Sequence, residues 1–264
     1  MRGGDRTIAV EAAGPGVTLL RLDRPEVANA LNTRMGLDLL EFFDGLNADP
    51  AAARAVVVTG AGARAFCAGG DLKQRNGMTD AEWQDQHLVF ERMVRAWRAC
   101  PIPVIAAVNG AAFGGGCEMV LLSDFAYAAE TARFALTEVT LGIMPGAGGT
   151  QLLPRAVGAA RAREILLTGR PFGAAEAMEW GLVNAVFPAE TLLDRALDTA
   201  RAIAANAPLS TRQIKQAVNV GLQMDVASAL MFEIEAYNRL VPTEDRREGV
   251  RAFNEKRRPD FKGH

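Results

Sequence analysis

Histidine and cysteine are scarce in this chain of 264 residues. The histidines are His87 and His264, and the cysteines are Cys67, Cys100 and Cys117. No two cysteines have the spacing of a zinc site, so we expect no metal centre. An odd number of cysteines without paired spacing is typical of reduced thiols, so we expect a cytoplasmic protein without disulfides.

Excess charge and long apolar runs are also missing. Lys and Arg number 29 and Asp and Glu 31, for a net charge of −2. No overall field therefore attracts nucleic acid or an anionic membrane. The least charged segment, 101–117, is too short and too glycine-rich to cross a bilayer, and the N-terminus lacks the apolar core of an export signal. We expect neither a nucleic-acid nor a membrane partner.

Basic residues do cluster near the C-terminus. The cluster contains Arg246, Arg247, Arg251, Lys256, Arg257 and Arg258, interleaved with Glu244, Asp245, Glu248 and Glu255. Alternating signs of this kind are typical of a solvated helix face.

Hydrophobic residues make up 49% of the chain and charged residues 23%, which is globular composition. Short β-branched runs alternate with helical patterns over the first two thirds, and no strand pattern follows residue 190 or so. We predict strands at 7–11, 17–22, 54–60, 103–110 and 124–130. We predict helices at 33–47, 80–99, 191–205, 210–221, 225–240 and 244–257. The fold class is α/β, with a core at 1–190 and a C-terminal helical region at 191–264.

The first of three glycine-rich loops is GAGARA at 60–65, which fits a dinucleotide-binding fingerprint. A helix should then begin at once, yet AFCAGGD continues as loop, and no acid ends a second strand about twenty residues on. The sequence therefore argues against a nucleotide fold.

The second loop is FCAGGDLK at 66–73. Adjacent glycines let the backbone approach a ligand and present N–H groups to it. A tight turn that needs Gly69 and Gly70 explains the same residues, so both interpretations stay open.

The third loop, NGAAFGGGCEM, isolates Glu118 among glycines and apolar residues. A helix beginning near Gly115 directs unpaired N–H groups and its positive end outward, which suits a negatively charged oxygen. Burial and the helix dipole act in opposite directions on the pKa of Glu118, and such opposition can tune a general base. A glutamate that merely caps the helix is the structural alternative.

A second isolated acid, Glu138, precedes the glycine-rich segment 145–149. Two lone acids beside glycine-rich loops are consistent with a paired acid/base site, and backbone donors in the same pocket would suit an oxyanion. The spacing alone does not bring them together, because loops intervene.

Three segments, AFCAGGDLK, AAVNGAAFGGGCEM and TEVTLGIMPGAGGTQLLPR, closely resemble the crotonase family, specifically its enoyl-CoA hydratases. The likeness extends from LDRPEVANAL at 22–31 to AFNEKRRPDFKG at 252–263. It implies a spiral of repeated ββα units and a C-terminal helical region that forms trimers, usually paired into hexamers. It also implies a coenzyme A thioester as substrate.

The resemblance assigns roles to individual residues. Glu118 and Glu138 match the two catalytic glutamates, while the N–H groups of Gly70 and Gly115 match the oxyanion hole. The coenzyme A contacts fall on the segment 67–73 and on Gly115. Within that segment they are Cys67, Ala68, Gly70, Asp71, Leu72 and Lys73, with Lys73 near the phosphates. No metal or further cofactor is implied.

The implied reaction is addition of water across the C2=C3 double bond of a 2-enoyl-CoA, giving a 3-hydroxyacyl-CoA. The segments DLKQRNGMT and VPTEDRREGVRAF also resemble the branch that acts on 3-methylglutaconyl-CoA. Trp97, Phe113, Ile143 and Met144 are candidates for the acyl pocket. The alternatives are an enoyl-CoA isomerase, a non-catalytic coenzyme A- or RNA-binding protein, and a hydrolase using Cys67 or Cys117.

Overall fold

A computed structural model describes residues 6–264; the expectation about an export signal rests partly on residues 1–5, which lie outside that range. The strands are β1 (Ile8–Ala12), β2 (Val17–Leu22), β3 (Ala55–Gly60), β4 (Ala65–Cys67), β5 (Val104–Val108), β6 (Ala111–Phe113), β7 (Phe125–Ala129), β8 (Arg133–Ala135), β9 (Phe172–Gly173) and β10 (Ala185–Phe187). The α-helices are α1 (Thr33–Ala48), α2 (Leu72–Arg75), α3 (Asp80–Ala99), α4 (Gly115–Leu122), α5 (Gly149–Val157), α6 (Ala159–Thr168), α7 (Ala174–Glu179), α8 (Ala189–Ala204), α9 (Pro208–Gly221), α10 (Val226–Asn238) and α11 (Glu244–Asn254).

The strands form two sheets that the chain visits in turn. One sheet has the order β1-β2-β3-β5-β7-β10 and the other β4-β6-β8-β9. Each repeat sends one strand to each sheet before the next helix, as in β3-β4-α2-α3, β5-β6-α4 and β7-β8-α5. The repeat of ββα units expected from the resemblance is therefore confirmed.

The longer elements form where the sequence pattern predicts them. β1 and β2 pair as an antiparallel hairpin, and β3 pairs in parallel with β2 and β5. All five residues of β5 are buried, as expected for a strand covered on both faces. Asn32 caps α1 by accepting a hydrogen bond from the Met35 N–H, and Thr79 and Glu82 form a capping box at α3.

The second sheet was not predicted. Its strands are two or three residues long, too short to show a period of two, and the prediction that AFCAGGD is entirely loop is wrong for Ala65–Cys67. The conclusion drawn at GAGARA is unaffected, because a turn and β4 follow β3 where a dinucleotide fold requires a helix.

The C-terminal region is all helical, as predicted. α8 packs on β3, β5 and β7 of the larger sheet, while α9 and α10 pack on each other. The six basic residues near the C-terminus are exposed, as expected. A fully solvated face is nevertheless wrong for Asp245 and Glu248, whose side chains are buried. Both accept backbone N–H bonds from the final residues, so they attach the C-terminal segment to α11.

All three cysteines are buried and free. Within the described range, no helix is long and apolar enough to cross a bilayer. The same residues contain no group of three or more His, Cys, Asp or Glu side chains that could hold a metal ion.

Gly116 marks the closest approach between α4 and the second sheet. A Cβ at this position would lie 2.1 Å from the Cys67 carbonyl oxygen, a backbone atom that cannot move aside cheaply. We expect Gly116→Ala to lower the free energy of unfolding by about 3 kcal/mol, measured by chemical denaturation.

Gly45, on the exposed side of α1, supplies the matched control. A Cβ there would meet nothing within 4 Å, so Gly45→Ala should raise the free energy of unfolding by about 0.5–1 kcal/mol. Equal effects of the two substitutions would contradict the close packing at Gly116.

Candidate active site

A cleft of about 800 Å³ opens between the second and third glycine-rich loops, α3 and the segment that follows β8. Its walls come from Leu31 and from four stretches of chain, within 68–75, 83–91, 114–118 and 137–147. Both isolated acids of the sequence line this cleft, together with the second and third glycine loops. The fold therefore brings the two acids and the two loops together, which the spacing in the sequence could not show.

Two glycines hold the loops back to back. Gly69 has φ +92° and Gly114 has φ +50°, values that side-chain-bearing residues rarely adopt. A Cβ on Gly69 would lie 2.8 Å from the Phe113 carbonyl oxygen, and one on Gly114 would lie 3.0 Å from Glu138 Oε1. The loops thus approach each other by backbone contact, with the next residue of each loop, Gly70 and Gly115, in the cleft wall.

Neither Gly70 nor Gly115 donates its N–H to another group within residues 6–264. At Gly70 the neighbouring hydrogen bonds run from Leu31 N to the Gly69 carbonyl and from Asp71 N to the Leu31 carbonyl. The N–H of Gly70 lies between these two hydrogen bonds and takes part in neither. Gly115 is the first residue of α4, where an N–H has no partner within the helix. Both amides remain available to an acceptor in the cleft.

Glu118 lies in the first turn of α4 and is only 3% exposed. Its Oε1 accepts hydrogen bonds from Ala147 N–H and Gly149 N–H, both at 2.8 Å. Burial raises the pKa of Glu118 to about 7; the nearby charge of Glu138 acts in the same direction, and the two backbone donors oppose it. A carboxyl group with this pKa exchanges protons readily at neutral pH.

Glu138 begins a 3₁₀ turn at Glu138–Leu141 and is 9% exposed. Burial raises its pKa, against its own backbone N–H and the positive charge of Arg75, which lower it. Its Oε2 is buried without a hydrogen-bond partner within the described range. A buried carboxyl oxygen without a donor favours the protonated form, whose O–H can donate to a guest in the cleft.

The predicted coenzyme A segment divides between cleft and interior. Ala68, Gly70, Leu72 and Gly115 line the cleft, whereas the Cys67 side chain is buried in β4. Lys73 is exposed on α2 outside the cleft wall.

Asp71 fixes the position of this segment through hydrogen bonds and an ion pair. It caps α2 through the N–H groups of Lys73 and Gln74 and pairs with Arg24 at 2.9 Å. Partial burial opposes ionisation of Asp71, but the hydrogen bonds from Arg24 and the backbone outweigh it, and its pKa is lowered. The glycine loop is therefore held in place by an ion pair.

Two of the four acyl-pocket candidates line the cleft and two do not. Ile143 and Met144 line the cleft. Trp97 and Phe113 do not: Trp97 is buried in the core, stacked on Phe43 with ring centroids 4.3 Å apart. Trp97 occupies the inner face of α3, and the helical period could not show which face met the core and which met the cleft.

Several residues that contribute to the cleft were not predicted from the sequence. The N–H groups of Ala147 and Gly149 hold Glu118, and Arg75, Trp83 and His87 line the wall. The glycine-rich segment at 145–149 was a visible signal for such backbone donors. For Arg75 the sequence gives only a weak signal, which is its position as the last residue of the short helix that Asp71 caps.

The structure contradicts a cysteine nucleophile. Burial raises the pKa of Cys67 to about 11 and also raises that of Cys117, so neither forms a thiolate at neutral pH. His87 lies beside Gly146 and Glu91, with Nε2 3.7 Å from Glu91 Oε1.

The raised pKa of Glu118 makes stability depend on pH. The carboxyl is neutral below its ordinary pKa of 4.5, and folding is penalised as pH rises towards the folded-state value of about 7. Glu118→Gln keeps an acceptor for both N–H groups and removes the charge. We expect this variant to exceed wild type in free energy of unfolding by about 3 kcal/mol at pH 8, and to match it at pH 4. Denaturation curves at the two pH values measure the difference; an advantage independent of pH would contradict the assigned burial.

Known proteins resemble this chain over nearly its whole length. The family model described as enoyl-CoA hydratase/isomerase matches residues 12–264. The crystal structure of enoyl-CoA hydratase from Bacillus anthracis superposes with a TM-score of 0.95 at 43% identity, covering 98% of this chain and 100% of that one.

Two relatives are also similar to this chain over most of their length. The 2,3-dehydroadipyl-CoA hydratase of Escherichia coli is 41% identical over 94% of this chain and 95% of its own. The mitochondrial enoyl-CoA hydratase domain-containing protein 2 of Mus musculus is 40% identical over 97% of this chain and 87% of its own. The fold and family expected from the sequence motifs are confirmed. The chain belongs to the enoyl-CoA hydratase/isomerase family.

Proposed function

We propose that this protein is a hydro-lyase that adds water across the C2=C3 double bond of a 2-enoyl-CoA, giving a 3-hydroxyacyl-CoA. One observation carries the proposal: two buried carboxyl groups, Glu118 and Glu138, line the same cleft as two unpaired glycine amides. Hydration needs a base for water, an acid for carbon and donors for a developing oxyanion, and this cleft contains one carboxyl group for each proton transfer and two amides for the oxyanion.

The amides of Gly70 and Gly115 bind the thioester carbonyl oxygen. Water attack at C3 pushes electrons through C2 onto that oxygen, so its negative charge grows towards an enolate. Donors already fixed in the backbone need little reorganisation, and one such donor typically lowers the barrier by about 3–4 kcal/mol. The positive end of α4 adds to the stabilisation at Gly115.

The two carboxyl groups exchange protons with the substrate. Glu118, whose Oε1 is held by Ala147 and Gly149, accepts a proton from the attacking water as its oxygen bonds to C3. Glu138 delivers its proton to C2 in the same step, so the carbonyl oxygen gains enolate-like charge without a free enolate forming. One proton enters the enzyme at Glu118 and one leaves from Glu138, and proton exchange with solvent restores both groups before the next turnover. The balance is the addition of one water molecule.

Coenzyme A enters only as part of the substrate, because these four groups supply the proton transfers and the charge stabilisation that hydration requires. The backbone from Cys67 to Leu72 follows the pantetheine and adenine, and Asp71 holds that segment in place. Exposed Lys73 lies nearby to pair with the phosphates.

A substrate panel tests this function. Crotonyl-, longer-chain 2-enoyl- and 3-methylglutaconyl-CoA are each mixed with the purified protein, and loss of the conjugated thioester absorbance is followed. Rapid loss with at least one thioester, with a 3-hydroxyacyl-CoA as product, supports hydration. The finer alternative, 3-methylglutaconyl-CoA hydratase, requires that thioester to have the highest kcat/KM. No loss with any of them would overturn the proposal.

Isomerisation is the second candidate, because the family description includes isomerases. An isomerase moves a double bond from C3 to C2 and needs one proton carrier, whereas this cleft has two. Incubation with a 3-enoyl-CoA separates the two activities. Faster conversion of that substrate than of crotonyl-CoA would favour the isomerase.

Self-association is proposed through the helical region. Large apolar side chains are exposed along α9, α10 and their connection, a concentration typical of a protein interface. They are Ile214, Val218, Leu222, Val226, Leu230, Met231, Ile234 and Tyr237. A trimer, or a hexamer of two trimers, would cover them.

A charge within this apolar surface should disrupt the assembly. Met231 is 71% exposed on α10, and Leu167, at 72% exposure on α6, is a matched control. We expect sedimentation of wild type and Leu167→Glu as trimers or hexamers and of Met231→Glu as a smaller species. A monomeric wild type would contradict the proposal, as would an unaltered mass for Met231→Glu.

A cytoplasmic location is also proposed, supported by the three free, buried thiols. The mouse relative's name places that protein in mitochondria, so fractionation of the source cells is the relevant measurement. Recovery with an organelle would contradict the proposal.

A further inference from the structure

Arg75 places a cation in the wall of the cleft at the reacting end. A Cβ built on Gly70 would lie 3.2 Å from Arg75 Nη1, 3.3 Å from Cζ and 3.7 Å from Nη2, so a face of the guanidinium lies against the loop of the proposed oxyanion hole. Its charge also acts on Glu138. Arg75 therefore lies beside two of the groups that would contact the acyl end of a thioester.

The guanidinium is held rigidly. Its Nε donates to Gln86 Oε1 at 2.8 Å, and Gln86 in turn donates to Thr33 and Gln74. The plane lies over the Trp83 ring, 4.3 Å from its centroid, with Phe90 at 5.7 Å. One edge and one face are thus fixed by the protein, and the rotamer entropy is largely lost before any ligand binds.

The remaining edge of Arg75 has no partner. Within residues 6–264, neither Nη1 nor Nη2 makes a hydrogen bond, and Glu138 is the one carboxyl group whose charge raises the pKa of Arg75. Burial lowers that pKa, since a half-buried cation is costly without an anion. Two parallel N–H donors on a guanidinium match the two oxygens of a carboxylate.

We propose that Arg75 binds a second carboxylate on the acyl group, so that the preferred substrates are 2-enoyl-CoA thioesters whose acyl chain ends in a carboxylate. The inference rests on the proposed hydratase function and adds its substrate class. With the thioester oxygen at Gly70 and Gly115, a carboxylate carried on C4 of the acyl chain is only a few bonds from that oxygen. Arg75, beside Gly70, lies on the side such a chain can reach.

Binding of this carboxylate has a consequence for Glu138. In the protein alone, the positive charge of Arg75 lowers the pKa of Glu138. An anion paired with Arg75 cancels that field and adds its own negative potential, so Glu138 is more firmly protonated when such a substrate is bound. The proposed acid is then in the form that can deliver a proton to C2.

Matched thioesters test the proposal in wild-type protein. Glutaconyl-CoA and 2-pentenoyl-CoA have the same number of acyl carbons and differ at C5, which is a carboxylate in one and a methyl group in the other. We expect kcat/KM to be about 10- to 100-fold higher for glutaconyl-CoA, the usual range for a charge-assisted hydrogen bond. The primary amide of glutaconyl-CoA keeps the size, removes the charge and should behave like 2-pentenoyl-CoA.

Substitution of Arg75 assigns the preference to that residue. The quantity compared is the ratio of kcat/KM for glutaconyl-CoA to that for 2-pentenoyl-CoA, which cancels general losses of activity or folded protein. Arg75→Met should lower this ratio by about 10- to 100-fold, and Arg75→Lys, which keeps the charge without the fork, should recover part of it. Arg92→Met, on the exposed side of α3, is the control and should leave the ratio unchanged.

Two outcomes would overturn the inference. One is a wild type that hydrates 2-pentenoyl-CoA as well as or better than glutaconyl-CoA. The other is an Arg75→Met ratio equal to that of wild type, which would place Arg75 on coenzyme A or in support of the loop. Failure of the hydratase proposal looks different, because wild type would then hydrate neither thioester nor crotonyl-CoA.

Discussion

Glu118→Gln is expected to hydrate crotonyl-CoA about 10³- to 10⁴-fold more slowly than wild type. The substitution keeps an oxygen that can accept from Ala147 N–H and Gly149 N–H, so the loop stays in place. It removes the group that takes a proton from water. A positioned general base typically raises the rate of a reaction by up to about 10⁴-fold. Initial rates of absorbance loss give kcat, which should fall far more than KM changes.

The pH dependence gives an independent check on the role of Glu118. A base with a pKa of about 7 is ionised above that pH, so kcat/KM of wild type should rise as pH increases towards neutrality. The Glu118→Gln variant should lose this rising limb together with its activity. Glu130→Gln, at an exposed position after β7, is the control and should behave as wild type. A Glu118→Gln variant with near wild-type kcat would show that water is activated elsewhere.

Glu138→Gln is expected to lower kcat by about 10²- to 10⁴-fold, for a different chemical reason. An amide cannot deliver a proton to C2, while water can still reach C3 beside an intact Glu118. Hydration runs in both directions, so an enzyme with a working acid also exchanges the C2 proton of 3-hydroxybutyryl-CoA with solvent deuterium. NMR should show rapid exchange with wild type and loss of exchange with Glu138→Gln.

The double variant tests whether the two carboxyl groups act as one unit. Residues that act together in one transition state give non-additive losses. Glu118→Gln/Glu138→Gln should therefore be little slower than the slower single variant. Multiplication of the two separate losses would show that the groups act independently, contrary to a concerted addition.

Long elements could be predicted from the sequence because their signals are local. The apolar run of β5 and the Asn32 cap of α1 each depend on a few neighbouring residues, and both predictions were confirmed. The isolated acids were visible for the same reason, since a lone glutamate among apolar residues carries an evident desolvation cost.

What the sequence could not show depends on contacts between distant segments. The short strands of the second sheet are defined by partners 20 to 40 or more positions away, as in the pairs Ala65–Ala111 and Ala111–Arg133. In the sequence, Arg75 cannot be distinguished from other charged residues on helices. Only the fold shows that it lies beside Gly70 and Trp83. The inner and outer faces of α3 could not be told apart, which is why Trp97 was wrongly assigned to the acyl pocket.

The repeated ββα architecture explains why the cleft forms at all. Each repeat ends a strand of the second sheet next to the start of a helix, and adjacent repeats put these ends side by side, as β4 and β6 do. Gly70 follows one such end and Gly115 the other. An oxyanion hole made of backbone amides thus follows from strand pairing and needs only glycines at the two points of close approach.

The fate of solvent oxygen tests the central claim most directly. Crotonyl-CoA is incubated with the protein in H₂¹⁸O, and the products are analysed by mass spectrometry with fragmentation. A hydratase with Glu118 as its base puts one ¹⁸O on C3 of an intact thioester. Label in a free carboxylate, or a shifted double bond without label, would show that the cleft catalyses a different reaction.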